Sequence, residues 1–335
     1  MISHAILAAA PLVNAALRGM LRGWLTMLQT DSKLSPRSES AGLSAPLRGA
    51  LWMIAATSGF AAMIVLVRQL TYDLDPLQVV FLRNVFGLLA MTPWLASQGL
   101  GVLRTQRIHL HLLRAGIGIV AMICWFTTLS LMPLAESTAL SFTAPIFTSL
   151  LAVLLLGEVM RRRRWMATAL GFLGALVILR PGIQTVQPVA LLAMGTAAVW
   201  ATSTILVKVM SRTESAGAVV TYMVLLSTPL SLIPALLVWQ TPTLEHLFFA
   251  VLLGAAGSAG HFCMTRALAS ADASFVVPFD YLRLPLVAAF AYVAFGEVPD
   301  LWIWLGGGLI AASGIYLAHR ESRLEPGAGA FPARI

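Results

Sequence analysis

Charge is what this sequence is short of: 11% of its 335 residues are Asp, Glu, Lys or Arg, against roughly a quarter in an ordinary soluble domain. A surface wetted on all sides cannot be built from that supply, so a soluble globular protein is excluded. Lysine is nearly absent, with only Lys33 and Lys208, which leaves no candidate for a Ser/Lys dyad. Cysteine occurs twice, as Cys124 and Cys263, both inside apolar runs. No disulfide framework follows from them, and both read as small packing residues. A His-rich box and a Gly-rich nucleotide loop are also missing, although a membrane-embedded enzyme would need such groups gathered at one depth. The net charge of +8 raises the question of nucleic acid. The arginines, however, stand in short connectors between apolar runs and form no basic soluble face, so no nucleic-acid partner is expected.

What the chain has in quantity is hydrocarbon. Hydrophobic residues make up 59% of it, and most apolar runs reach the 18 to 20 or so residues with which a helix crosses the bilayer core. The expected class is an all-α integral membrane protein. Residues 1–46 form an N-terminal extension. Its apolar stretch is interrupted by Asn14, Arg18 and Arg22 and lacks the layout of a signal peptide. That stretch reads either as a helix lying on the membrane surface, with a Ser/Pro-rich linker after it, or as the product of a start assigned too early, since Met20 and Met27 follow. Ten spans are predicted after it, near 47–70, 77–98, 112–132, 136–157, 165–180, 189–210, 217–239, 246–269, 274–295 and 301–319. With both termini cytoplasmic, eighteen of the 22 basic residues fall on the inner side, as the positive-inside rule requires. Arg68 and Arg180 fall on the outer side, while Arg83 and Arg283 lie within spans. Residues 321–335 make a cytoplasmic tail.

Sliding the chain on itself reveals a period near 140 residues. Leu66-Val67-Arg68 meets Leu206-Val207-Lys208 and Pro145 meets Pro285 at an offset of 140. Leu156-Gly157-Glu158 meets Phe295-Gly296-Glu297, and Cys124 meets Cys263, at 139. Residues 47–181 and 187–320 are therefore expected to be two homologous halves. Five spans is an odd number, so the second half enters the membrane from the opposite side. Inverted repeats of this kind are characteristic of secondary transporters, whose site lies near the midplane where the halves meet.

The twofold Gly-Glu ending (Gly157-Glu158, Gly296-Glu297), the upstream prolines Pro145 and Pro285, and Phe81-Leu82-Arg83 in the second span carry a family likeness. In these motifs the chain resembles the drug/metabolite transporter superfamily, specifically its EamA-type ten-helix permeases, from about Leu47 to Arg320. Phe279-Asp280-Tyr281-Leu282-Arg283 is similar to the branch common in Gram-negative bacteria. The resemblance implies a central cavity between the halves and carriage of a small organic solute across the inner membrane by alternating access, without ATP, cofactor or catalysis. Amino acids, vitamins, S-adenosylmethionine and drugs all fall within its range. A polytopic membrane enzyme and a channel are the alternatives. The chain departs from the family in its first 46 residues and in Met223, which stands where Arg83 stands in the first half.

An ionisable group at bilayer depth is costly, which makes Arg83, Asp280, Arg283 and His261 candidates by position. Asp280 and Arg283, three apart on a helix, either neutralise one another or form a proton-coupling site. Arg83 either binds an anionic group of the solute or ties its helix to a neighbour. His261 follows Gly254, Gly257 and Gly260 on a run suited to close packing. Cys263, two residues on, points to another face, so no metal site is expected. Trp125, Trp200, Tyr222 and Tyr281 offer aromatic walls that would suit a planar heterocycle of the riboflavin type. Pro145 and Pro285 are candidate hinges. Glu158 and Glu297, at span ends on opposite sides, are either gates or simple helix ends. The oligomeric state is not encoded.

Overall fold

The protein is described by a computed structural model over residues 45–144, 147, 151, 162–180, 187–211, 213–270 and 276–324. The N-terminal extension, Pro145 and Glu158 lie outside the described residues. Ten α-helices with assigned ranges occur among them. They are α1 (Ala45–Leu70), α2 (Pro76–Gln98), α3 (Ile108–Leu131), α4 (Leu134–Ser141) and α5 (Arg162–Leu179), then α6 (Pro188–Met210), α7 (Ala216–Leu237), α8 (Leu244–Ser270), α9 (Arg283–Phe295) and α10 (Leu301–Leu324). Short 3-10 segments cover Leu100–Leu103 and Val277–Leu282. Six helices, α1, α2, α3, α6, α7 and α8, are long and apolar enough to cross a membrane.

Local chemistry explains where the helices begin and end. Asp75 accepts from the Leu77 amide at 2.8 Å and Pro76 opens α2, a place where its missing N–H costs nothing. Ser215 caps α7 through the Ala218 amide. At the end of α9, Gly296 turns the chain at φ +69°, and the Glu297 amide reaches back to the Ala291 carbonyl. Only glycine enters that left-handed turn without strain, which gives the Gly-Glu motif its first residue.

The solvent pattern is inverted relative to a soluble protein. Leu230, Ile233, Leu236 and Leu237 of α7 and Tyr292 and Val293 of α9 stand exposed, whereas Arg83, Asn84, His111, Arg114, Ser227, Ser231 and His261 are buried. An apolar exterior of this extent marks a surface meant for lipid. Trp239, Trp302 and Trp304 are about two-fifths exposed at helix ends, as an interfacial belt needs. Trp94, near the end of α2, is instead buried, its ring lying where a side chain on Gly217 would stand.

Helices pack in couples that exchange when one half is replaced by the other. α1 meets α8 while α3 meets α6; α2 meets α8 while α3 meets α7; α1 meets α9 while α4 meets α6; and α2–α7, α5–α10 and α4–α9 are each their own counterparts. Small residues permit the closest of these approaches. A methyl group on Gly254 would come within 2.5 Å of the α2 backbone, and one on Gly306 within 2.5 Å of the Gly174 carbonyl. The fourth and ninth segments are both discontinuous. α4 stops at Ser141 and turns at Phe142-Thr143, and α9 starts only after the 3-10 segment Val277–Leu282. Broken helices are tolerated at membrane depth where the freed backbone is covered by protein or lines a polar interior.

Candidate functional site

At the break of the ninth segment the 3-10 turn lifts Asp280 out of helical register and presents it to Arg283. Arg283 binds both Asp280 oxygens, through Nε at 3.1 Å and through Nη2. The Thr57 hydroxyl of α1 donates to the same carboxylate at 3.1 Å. One turn along α1, Phe60 places its ring under the Arg283 guanidinium at 5.3 Å, a cation–π contact. The other side of Phe60 meets the His261 ring edge-on at 5.0 Å, and His261 in turn faces Trp200 of α6 at 5.5 Å. Five sequence candidates, Trp200, His261, Tyr281, Asp280 and Arg283, thus fall in one region. Tyr281 joins it through an edge-to-face contact with Phe142 at 4.9 Å, so the two helix breaks touch ring to ring.

The remaining candidates make other contacts. Trp125 is buried in the large apolar cluster with Phe126, Leu129 and Met122. Tyr222 donates its hydroxyl to the Leu103 carbonyl and stacks on His111 at 4.3 Å, which ties α7 to the α2–α3 connector. Arg83 is fully buried, with Nη1 on Asn84 at 3.0 Å and the rest of its guanidinium against Gly257 of α8. Pro285 stands in the first turn of α9, directly after the 3-10 segment. The break is thus the 3-10 turn that precedes Pro285, not a kink in the middle of α9. Both cysteines are free thiols.

Glu297 is more than a helix end. Its carboxylate accepts from the Leu134 amide at 2.8 Å, capping α4, and pairs with Arg68 of α1 at 3.5 Å. Arg68 also donates to the Leu129 and Met132 carbonyls. On the same side of the molecule Arg180 pairs with Asp300 at 3.0 Å and His246 with Asp73 at 3.1 Å. Gln78 donates to the Gln240 carbonyl at 2.6 Å. Apart from the two Arg68–carbonyl bonds, each of these contacts joins a residue before 181 to one after 187.

Four participants escaped sequence reasoning. Thr57 and Phe60 belong to an apolar run in which neither type signals a role. His111 and Arg114 resemble residues at a cytoplasmic helix end, yet both are buried against α7, where Arg114 donates to the Val219 carbonyl at 3.2 Å. Their spacing of three, on the face turned to the bundle, was the available signal. A shallow groove is lined by the apolar residues Leu112, Leu113, Gly116, Ile117, Val120 and Val199, of which Leu112, Leu113 and Val120 are exposed.

A helical bundle with lipid-compatible walls, a polar interior and two broken helices that meet defines a multi-pass membrane transporter of the inner membrane. The chain matches the EamA-like transporter family over residues 47–180 and again over 187–318. It belongs to that family, within the drug/metabolite transporter superfamily, whose members carry small metabolites. The riboflavin transporter of Vibrio cholerae is 32% identical over 83% of this chain and 95% of its own length. The S-adenosylmethionine uptake transporter of Rickettsia bellii is 30% identical over 81% of this chain and 94% of its own. A crystal structure with 20% identity superposes with a TM-score of 0.60, covering 81% of this chain and 98% of its own, and shares the fold.

Proposed function

We propose that the protein is a secondary carrier with ten spans, both termini cytoplasmic and the halves 47–181 and 187–320 inverted, which moves a planar heterocyclic metabolite by alternating access without chemical conversion. The observation that carries this reading is the gathering of Trp200, His261, Phe60, Arg283, Asp280 and Thr57 from α1, α6, α8 and the broken ninth segment. Aromatic faces are supplied there next to a charged pair, where ring stacking and one hydrogen-bonding end would fix a flat solute. The names of the Vibrio cholerae and Rickettsia bellii relatives favour a flavin or an adenosyl solute.

Asp280 and Arg283 act as the coupling pair, and Arg83 as a binding residue. Glu297 acts as the outer gate, with Arg68, Arg180–Asp300 and His246–Asp73 as its accessory ties. By the repeat, Glu158 holds the equivalent place on the inner side. Riboflavin uptake into proteoliposomes is expected to saturate and to be competed by unlabelled flavin. Flux that rises linearly with concentration would mean a channel. Asp280→Asn is expected to flatten the pH dependence of uptake; an unchanged profile would remove the proton role.

A further inference from the structure

Arg83 and Arg114 are two buried guanidinium groups with nothing acidic bonded to them among the described residues. Arg83 is completely buried and Arg114 almost so. Each has one hydrogen bond to a neutral acceptor, the Asn84 side chain and the Val219 carbonyl. Nε and Nη2 of Arg83 and Nε of Arg114 have no partner, nor has Nδ1 of His261 or either ring nitrogen of His111. Arg83 and Arg114 stand within Coulombic range of each other, and both within range of His261.

Carboxylates nearby are committed elsewhere. Asp280 is held by Arg283 and Thr57, and Glu214, within range of His111, accepts from the Thr105 hydroxyl at 2.6 Å. Helix α7, which covers Arg114, contains no acidic residue. Space for the Arg83 group is left by Gly257, where a side chain would meet Nε at 2.9 Å and Nη2 at 3.0 Å. A guanidinium does not shed its proton when buried, and an unpaired charge in a low dielectric is expensive. Two of them with orphan donors, within Coulombic range of each other, suit an oxyanion, because the guanidinium fork matches carboxylate and phosphate geometry.

We propose that Arg83 and Arg114, with His261 beside them, hold an anionic group of the transported solute, so that a heterocycle bearing a carboxylate or a phosphate is preferred over its neutral counterpart. The proposal rests on the carrier reading and narrows its solute class. The test is calorimetric binding to the purified full-length protein with matched pairs. Flavin mononucleotide against riboflavin is the phosphate arm, and S-adenosylmethionine against its carboxyl methyl ester is the carboxylate arm. In at least one pair the anionic member is expected to bind at least tenfold tighter. Arg83→Gln and Arg114→Gln are each expected to cut its affinity at least tenfold more than that of the neutral member.

Equal affinity within both pairs, or a preference that survives both substitutions, would overturn the proposal. If the variants do not fold, the wild type decides: sodium phosphate must compete with the preferred anion and not with its neutral counterpart. Anion-selective binding without saturable flux in proteoliposomes would keep this site and remove the carrier. Saturable flux without selectivity would do the reverse.

Discussion

Replacing Asp280 with Asn keeps the shape of the side chain and removes its charge, leaving the Arg283 guanidinium without a counter-ion. Thr57 can still donate to the amide oxygen, and Phe60 still lies under the guanidinium at 5.3 Å. Neither neutralises it. Orphaning one partner of a buried pair costs about 3 to 5 kcal/mol. The two side chains keep 15% and 22% exposure, so the lower end applies, and we expect a loss of about 3 kcal/mol. Asp280→Asn combined with Arg283→Gln removes both charges together and should cost only about 1 kcal/mol, which makes the pair strongly coupled by a double-mutant cycle. Reversible unfolding of the purified protein in mixed micelles, on wild type, both single variants and the double, reads these differences. A single variant within about 0.5 kcal/mol of wild type, or a double variant as unstable as the two singles added, would refute the reasoning.

Glu297→Gln should free Arg68 and weaken the α4 cap, raising access of a membrane-impermeant thiol reagent to cysteines placed in the bundle; unchanged labelling would count against a gate. Gly306→Ala drives a methyl group to 2.5 Å from the Gly174 carbonyl and should destabilise by about 1 to 3 kcal/mol, seen as a lower melting temperature in detergent. Gly296→Ala must hold φ +69° with a side chain present, a cost of about 1 to 2 kcal/mol in the same assay. Tyr222→Phe removes the donor to the Leu103 carbonyl but keeps the stack on His111, and should cost about 1 kcal/mol.

Helices were legible because the bilayer imposes length and apolarity on them: the predicted edges of α1, α2, α6, α7 and α8 fall within two residues of the observed ones. The fourth and ninth segments were read as continuous, since hydropathy averages over a window and cannot register a turn at Phe142-Thr143 or a 3-10 start at Val277. Charged candidates inside the membrane stand out by cost, and Asp280, Arg283 and His261 do come together. Depth in the span and aromatic character mark Trp125 and Tyr222 as candidates, but neither says which way a ring faces, and Trp125 packs in the apolar cluster while Tyr222 bonds the Leu103 carbonyl. Arg114 was hidden for the opposite reason: near the inner end of α3 an arginine is ordinary, and only burial against α7 separates it from a snorkelling one.

The bond between Arg68 and Glu297 takes its cation from one half and its anion from the other. In the sequence, Lys208 follows Arg68 by 140 residues and Glu158 precedes Glu297 by 139, so a cation and a glutamate recur at the matching sequence positions of the other repeat. Because its cation and its anion stand in different family repeats, the Arg68–Glu297 pair can open only if the two repeats part at that end of the bundle, so the state of this one bond reports on their separation there.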